Sequence, residues 1–246
     1  MTGRTLRVII MGLAALTLVA VLGMSIYVLA RTSDMNRIID YASCIVRTAV
    51  LFIFLLFYYN SLFSGSGLDT AFLPLFLFFS MVYEFRILPD FAAVTFFMPV
   101  SSIMLSRILS FSLLMSGFAI FGFGFFYQNR EPSAVMYYLL VSTAFSLITA
   151  IIVPATQKVD VLSMNPAFSL FVSIIYSSAA ILFLRQIILD PPGSYLIRHF
   201  SALLFIVGNI VNFYFNERTI NLAGTAFTVL SYMTVMLVSR AKDVKY

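Results

Sequence analysis

Residues 70–90, TAFLPLFLFFSMVYEFRILPD, decide how the rest of the chain is read. The stretch is apolar enough for a membrane-spanning helix, yet it carries Glu84 and Arg86 toward its far end. Charge inside hydrocarbon is costly unless it is paired or hydrated, so an intramembrane acid is a candidate functional residue. Residues two apart point to nearly opposite sides of an α-helix, so Glu84 and Arg86 are not expected to neutralise each other. The partners expected for Glu84 are Arg47 and Arg107, near the ends of the flanking apolar stretches.

The whole chain has the same character. Of 246 residues, 61% are hydrophobic and only 10% are charged. A soluble domain carries about a quarter charged residues, so this chain is built to face lipid. The net charge of +5 is spread over short loops and offers no patch suited to nucleic acid. Trp is absent, which leaves Tyr to supply an aromatic interface belt. Cys44 is the lone cysteine, so the chain has no internal disulfide and no multi-cysteine metal site. It reads as an apolar filler.

Arg4 and Arg7 precede an apolar run over 8–30. That run is longer than the roughly 7–15 residues of a secretory signal's apolar region. It is therefore expected to be an uncleaved signal anchor, followed by a polar connector to residue 41. A second span is expected over 42–63 and a turn over 64–69, SGSGLD. The third span is expected to stop at Pro89, because the residue before proline is pushed out of helical geometry. The apolar piece 91–100 is too short to cross, and is read as re-entrant or interfacial. Further spans are expected over 101–127 (or two short ones split at Arg107), 134–153, 166–189, 199–215 and 220–239. The expected fold is thus all-α, a polytopic bundle of about eight spans, with an anchor region 1–41 and a seven-helix module 42–246.

Eight spans put both termini on one side. That side's loops hold Arg4, Arg7, Arg130, Arg198, Arg240, Lys242 and Lys245; the opposite loops hold Arg31, Arg37, Arg86, Lys158 and Arg218. The positive-inside rule then places the termini in the cytoplasm of a bacterial-type inner membrane.

Arg47, Glu84 and Arg107 are expected one to two turns below the outer surface, or ~7 Å, with Arg86, Asp40 and Asp90 nearer the water. Two readings stand side by side. One is an outward-facing pocket for an anionic ligand, built from Arg47, Glu84, Arg86 and Arg107. The other is an ion pair with snorkelling arginines that locks helices together. Asn209, Asn212 and Asn216 share one helical face, and Asn221, Thr225, Thr228 and Tyr232 share another. These stripes suit hydrogen bonding between two neighbouring helices, or alternatively a solute path. Ser102, Ser106 and Ser110, and Ser169, Ser173 and Ser177, read as small faces for close packing.

Several chemistries lack their residues. There is no HExxH pair, His/Cys cluster or GxxxxGK[ST] loop. No lysine lies in a span. A catalytic serine needs a base, and His199, the only histidine, is expected at the start of a span, at the interface. No cofactor or metal is expected.

One anchor followed by seven spans resembles the membrane module of bacterial seven-transmembrane sensory receptors. The resemblance rests on Tyr59-Asn60 at the end of the first of the seven, a short polar loop and an aromatic-rich next span. It implies a sensory or ligand-binding module without catalysis. With no sensing domain between the first two spans and no output domain after the last, signalling is expected to pass to a separate cytoplasmic protein. The rival expectation is the membrane subunit of a multicomponent transporter working with an ATPase, suited by polar stripes and a proline-interrupted segment. The sequence leaves the ligand, the partner and the oligomeric state open.

Overall fold

The computed structural model describes residues 3–61, 72–95, 101–126, 131–153, 166–189, 194–214 and 218–243. Among them all the regular structure is helical and there is no strand. In order, the helices are α1 (Gly3–Leu29), α2 (Met35–Ser61), α3 (Phe72–Tyr83), a 3₁₀ segment (Glu84–Ile87), α4 (Leu88–Thr95), α5 (Ser102–Phe125), α6 (Pro132–Ile152), α7 (Pro166–Leu189), α8 (Ser194–Tyr214) and α9 (Arg218–Asp243). Six stretches are long and apolar enough to cross a membrane, and 199–211 in α8 is a shorter apolar one. The loops expected at 64–69, 155–165 and 190–193 lie outside the described residues.

α2, α3, α5, α7, α8 and α9 close into a ring in which each helix packs on the next. α1 lies against α2, α3 and α4, while α6 packs on α5. The side-chain registers fix the directions. α2 and α9 run parallel, since Arg47 meets Thr225 and, seven residues on, Phe54 meets Tyr232. α5 and α7 also run parallel, with Ser116 on Tyr176 and Phe123 on Phe183. α3 and α5 are antiparallel, through Phe72–Phe126 and Phe79–Phe111. The ring is filled by Phe54, Phe76 and Phe205, whose rings meet edge to face. The exposed Leu, Ile, Val and Phe side chains of α1, α6 and α7 form an apolar outer surface, as contact with a lipid bilayer requires.

Two expectations about helix ends are corrected, and one alternative is set aside. α2 begins at Met35 rather than at residue 42, so the polar connector is shorter and the residue 41/42 boundary falls inside a helix. α5 is continuous through Arg107 and is not split. The third span does not stop at Pro89, because the chain stays helical from Phe72 to Thr95. Pro89 sits in the first turn of α4, where its missing N–H is tolerated. Of the piece expected to be re-entrant, 91–95 simply continues α4, and 96–100 lies outside the described residues.

Close approach of α5 to its neighbours depends on small residues. A Cβ at Gly122 would lie 2.7 Å from Phe72 Cε1 and 2.8 Å from Tyr138 Cε1. Neither ring can retreat: Phe72 stacks on Phe126, and the Tyr138 hydroxyl donates to the Phe118 carbonyl at 2.8 Å. Gly122→Ala is therefore expected to destabilise by about 1–3 kcal/mol, the cost of overpacking. Gly12→Ala in α1, with nothing within 4 Å, is expected to be neutral or mildly stabilising. Thermal unfolding in detergent checks this, and equal midpoints for the two variants would contradict the packing described.

Candidate functional site

The charged residues that the sequence singles out fall into two groups. Arg47, Glu84 and Arg86 come together; Arg107 does not. Arg47 Nε donates to Glu84 Oε1 at 2.8 Å and Nη2 donates to Oε2 at 3.0 Å, a two-pronged pair. The two side chains are only 3% and 5% exposed. The remaining prong of Arg47, Nη1, donates to the Thr225 hydroxyl at 3.0 Å. One guanidinium thus ties α2 to the 3₁₀ segment and to α9. The geometry suits arginine, whose planar fork matches a carboxylate and keeps its charge when buried.

Arg86 also reaches the same carboxylate, with Nε 3.6 Å from Glu84 Oε2. This corrects the expectation that the two residues face apart. In an α-helix residues two apart are separated by about 160° around the axis, whereas in a 3₁₀ segment the separation falls to about 120°. A long arginine closes the rest. The Arg86 guanidinium lies 5.5 Å over the Tyr83 ring, and its side chain is 21% exposed.

Arg107 is exposed on α5, and among the described residues it forms no ion pair with Glu84. The face of α5 that packs inward is occupied by Leu105, Ser106, Leu109 and Ser110, which turns Arg107 outward. Five residues from the start of α5, its long side chain can carry its charge to the membrane surface.

Arg47 lies twelve residues into α2 and Glu84 eleven residues before the end of α4, so each is ~16–18 Å from those helix ends at 1.5 Å per residue. α2 and the third span are antiparallel in strict register. Six residues outward from Arg47 on one strand and from Glu84 on the other, the Tyr41 hydroxyl donates to Asp90 Oδ2 at 2.8 Å. Cys44 and Ile87 pack between these two polar layers in one apolar cluster. Cys44 is buried, as a filler should be, and accepts a hydrogen bond from Ser25 on α1 at 3.8 Å.

The described members of the polar stripes on α8 and α9 divide. Asn209 donates to the Phe205 carbonyl and Thr228 to the Gly224 carbonyl, both within their own helices. Thr225 faces Arg47 instead of α8. Tyr232 packs its ring against Phe54 of α2. The side chains of Asn212 and Asn221, and Asn216 altogether, lie outside the described residues.

The α8–α9 seam holds Thr228, whose hydroxyl oxygen would lie 3.0 Å from a Cβ on Gly208, together with residues that the sequence reading passed over. Ser201 and Ser231 each donate to the other's carbonyl, and their hydroxyls are 2.8 Å apart. Seven residues along, a Cβ on Gly208 would lie 3.0 Å from the Gly224 carbonyl oxygen. A small residue seven apart on each of two neighbouring helices was the available signal.

The two serine stripes divide. Ser106 and Ser110 are buried, but Ser177 is exposed, so the α7 stripe is not its packing face. Tyr176 makes the contact, bonding Ser116 at 2.6 Å beside Gly117. His199 is buried against Phe183.

Both oxygens of Glu84 are taken by guanidinium donors, so it is no general base as it stands. Among the described residues no three His, Cys, Asp or Glu side chains assemble to hold a metal. The arrangement can bind charge and tie helices. No protein-family model, curated protein or solved structure matches this chain.

Removing one partner of a buried ion pair leaves an uncompensated charge, at a cost of about 3–5 kcal/mol. Glu84→Gln strands two arginines and is expected to be worst. Arg47→Gln leaves Glu84 beside Arg86 and is expected to be milder. The double variant should recover part of the loss, whereas Arg107→Gln should change little. Folded yield and unfolding temperature in native lipid check the order. Additive losses in the double variant would contradict the pair.

Proposed function

We propose that this chain is the membrane module of a sensory system, binding an anionic ligand and signalling through a separate cytoplasmic partner, with no catalysis of its own. One observation carries the reading: two arginines converge on a single buried carboxylate. Arg47 holds it at hydrogen-bond distance, whereas Arg86 holds it at 3.6 Å and keeps part of its surface. An anion arriving from the outer side competes with Glu84 for the more loosely held guanidinium. Its binding alters the charge balance around Arg47, which is bonded to Thr225 of α9. The resemblance to bacterial seven-transmembrane receptors supports the same reading.

The arrangement proposed is eight spans in an inner membrane, with both termini cytoplasmic. The alternating helix directions support that count, with α8 and α9 added to the six longest apolar stretches. Arg107 has no part in this site.

A second reading, the membrane subunit of a multicomponent transporter, is favoured by the 3₁₀ interruption inside the third span, since transporter sites are often built where helices break. Partner capture separates the two. Crosslinking of the tagged protein in its own membrane, followed by mild-detergent purification and mass spectrometry, is expected to recover a kinase, cyclase or comparable signalling enzyme at its cytoplasmic face. Recovery of a soluble ATPase instead would contradict the sensory reading and support the transporter. Recovery of the chain alone would contradict both multicomponent readings.

A further inference from the structure

Pro89 touches none of the charges, yet the backbone around it explains how they are arranged. A proline has no N–H, so it cannot donate to the carbonyl four residues earlier, here Phe85. In this chain the Leu88 N–H takes that carbonyl instead. A bond across three residues is the 3₁₀ pattern, and the tightened stretch runs from Glu84 to Ile87. Both Glu84 and Arg86 belong to it. The tightening turns Arg86 about 40° closer to the Glu84 side than an α-helix would.

We infer that Pro89 is the positioning residue of the charge site: it builds a joint at Glu84–Ile87 that brings a second arginine onto Glu84 and sets the rotation of α4. Over four residues a 3₁₀ path winds about 80° further than an α-helical one. Everything beyond the joint carries that rotation, including Asp90, which accepts from Tyr41. α3 is held in the core by α5, α2 and α1, while α4 packs on α1 and the joint. Its anchors are the Tyr27–Phe91 ring contact and the Tyr41–Asp90 bond. α4 is therefore the side of the joint that turns. The inference deepens the ligand-binding reading, because the guanidinium proposed to meet the anion is the one that the joint positions.

The test uses Pro89→Ala in the full chain, with Cys44→Ala to clear the native thiol. Spin labels at Met35→Cys in α2 and Ala93→Cys in α4, both exposed, report the rotation by pulsed dipolar spectroscopy in nanodiscs. A second pair, Val207→Cys in α8 and Leu222→Cys in α9, reports on the α8–α9 seam, which is held by its own Ser201–Ser231 and Gly208–Gly224 contacts. Pro89→Ala is expected to move the 35/93 distance by several Å and leave the 207/222 distance unchanged. Unfolding temperatures of Glu84→Gln, Arg86→Gln and their double variant supply a readout that a merely structural proline would not move. Their non-additivity should be present with Pro89 and lost in the Pro89→Ala background. An unmoved 35/93 distance, equal change in both pairs, or retained non-additivity would overturn the inference. So would failure of Pro89→Ala to accumulate, since restoring an α-helical bond leaves a positioning device folded. None of these outcomes alters what partner capture recovers, so the joint and the sensory reading fail separately.

Discussion

A bidentate ion pair in the interior of the bundle, Arg47 with Glu84, is the constraint around which the rest is arranged. In hydrocarbon neither group can be left with unmet charge, and a guanidinium has five donors to place. Two go to Glu84 and one to Thr225. The chain therefore has to bring α2, the third span and α9 to one point in one register. That requirement accounts for features that look unrelated in the sequence: a threonine on α9 facing α2, and the matched registers of α2, the third span and α9. Such a pair specifies an arrangement more than it stabilises one, since the desolvation of both charges offsets much of their attraction.

Around this point the bundle uses two packing regimes. Where α5 meets α7, Gly117 leaves room for Ile175 and Tyr176, and where α8 meets α9, Gly208 lets the backbone of α9 approach until a Cβ would sit 3.0 Å from a carbonyl oxygen. Lipid tails are as apolar as leucine, so close van der Waals contact and hydrogen bonds do the work that hydrophobic burial does in water. Where α2, α3 and α8 meet, phenylalanine rings fill the interior edge to face. The tight seams hold their helices together as pairs. The third span is the exception, because its winding changes over Glu84–Ile87, just before its proline.

Much of the fold was legible in composition and apolar run length, because lipid demands helices and helices that cross it must be long. The ends were less legible. Met35–Tyr41 looked like a connector because Arg37 and Asp40 are charged, yet in a bundle such residues extend a helix into the polar boundary. Pro89 looked like a stop because its local rule was applied without its remedy, a 3₁₀ bond from Leu88. Glu84 and Arg47 were recognisable as partners because buried charge must be paired, and that rule is indifferent to distance along the chain. Arg107 was mistaken for a third member because sequence gives depth along a helix but not which face turns inward. The α8–α9 pairing was expected from the polar stripes, but its Ser201–Ser231 and Gly208–Gly224 contacts were not: Ser and Gly carry little signal individually, and only their spacing of seven on two helices at once reveals them.

The most direct test of this account is a solid-state NMR measurement on the protein in bilayers, with labelled arginine guanidinium nitrogens and glutamate carboxyl carbons. The account predicts a buried glutamate signal in its ionised form, strongly dephased by arginine nitrogens at contact distance and absent in Glu84→Gln. A Glu84 carboxyl that is protonated, or one that shows no dephasing from arginine, would contradict it.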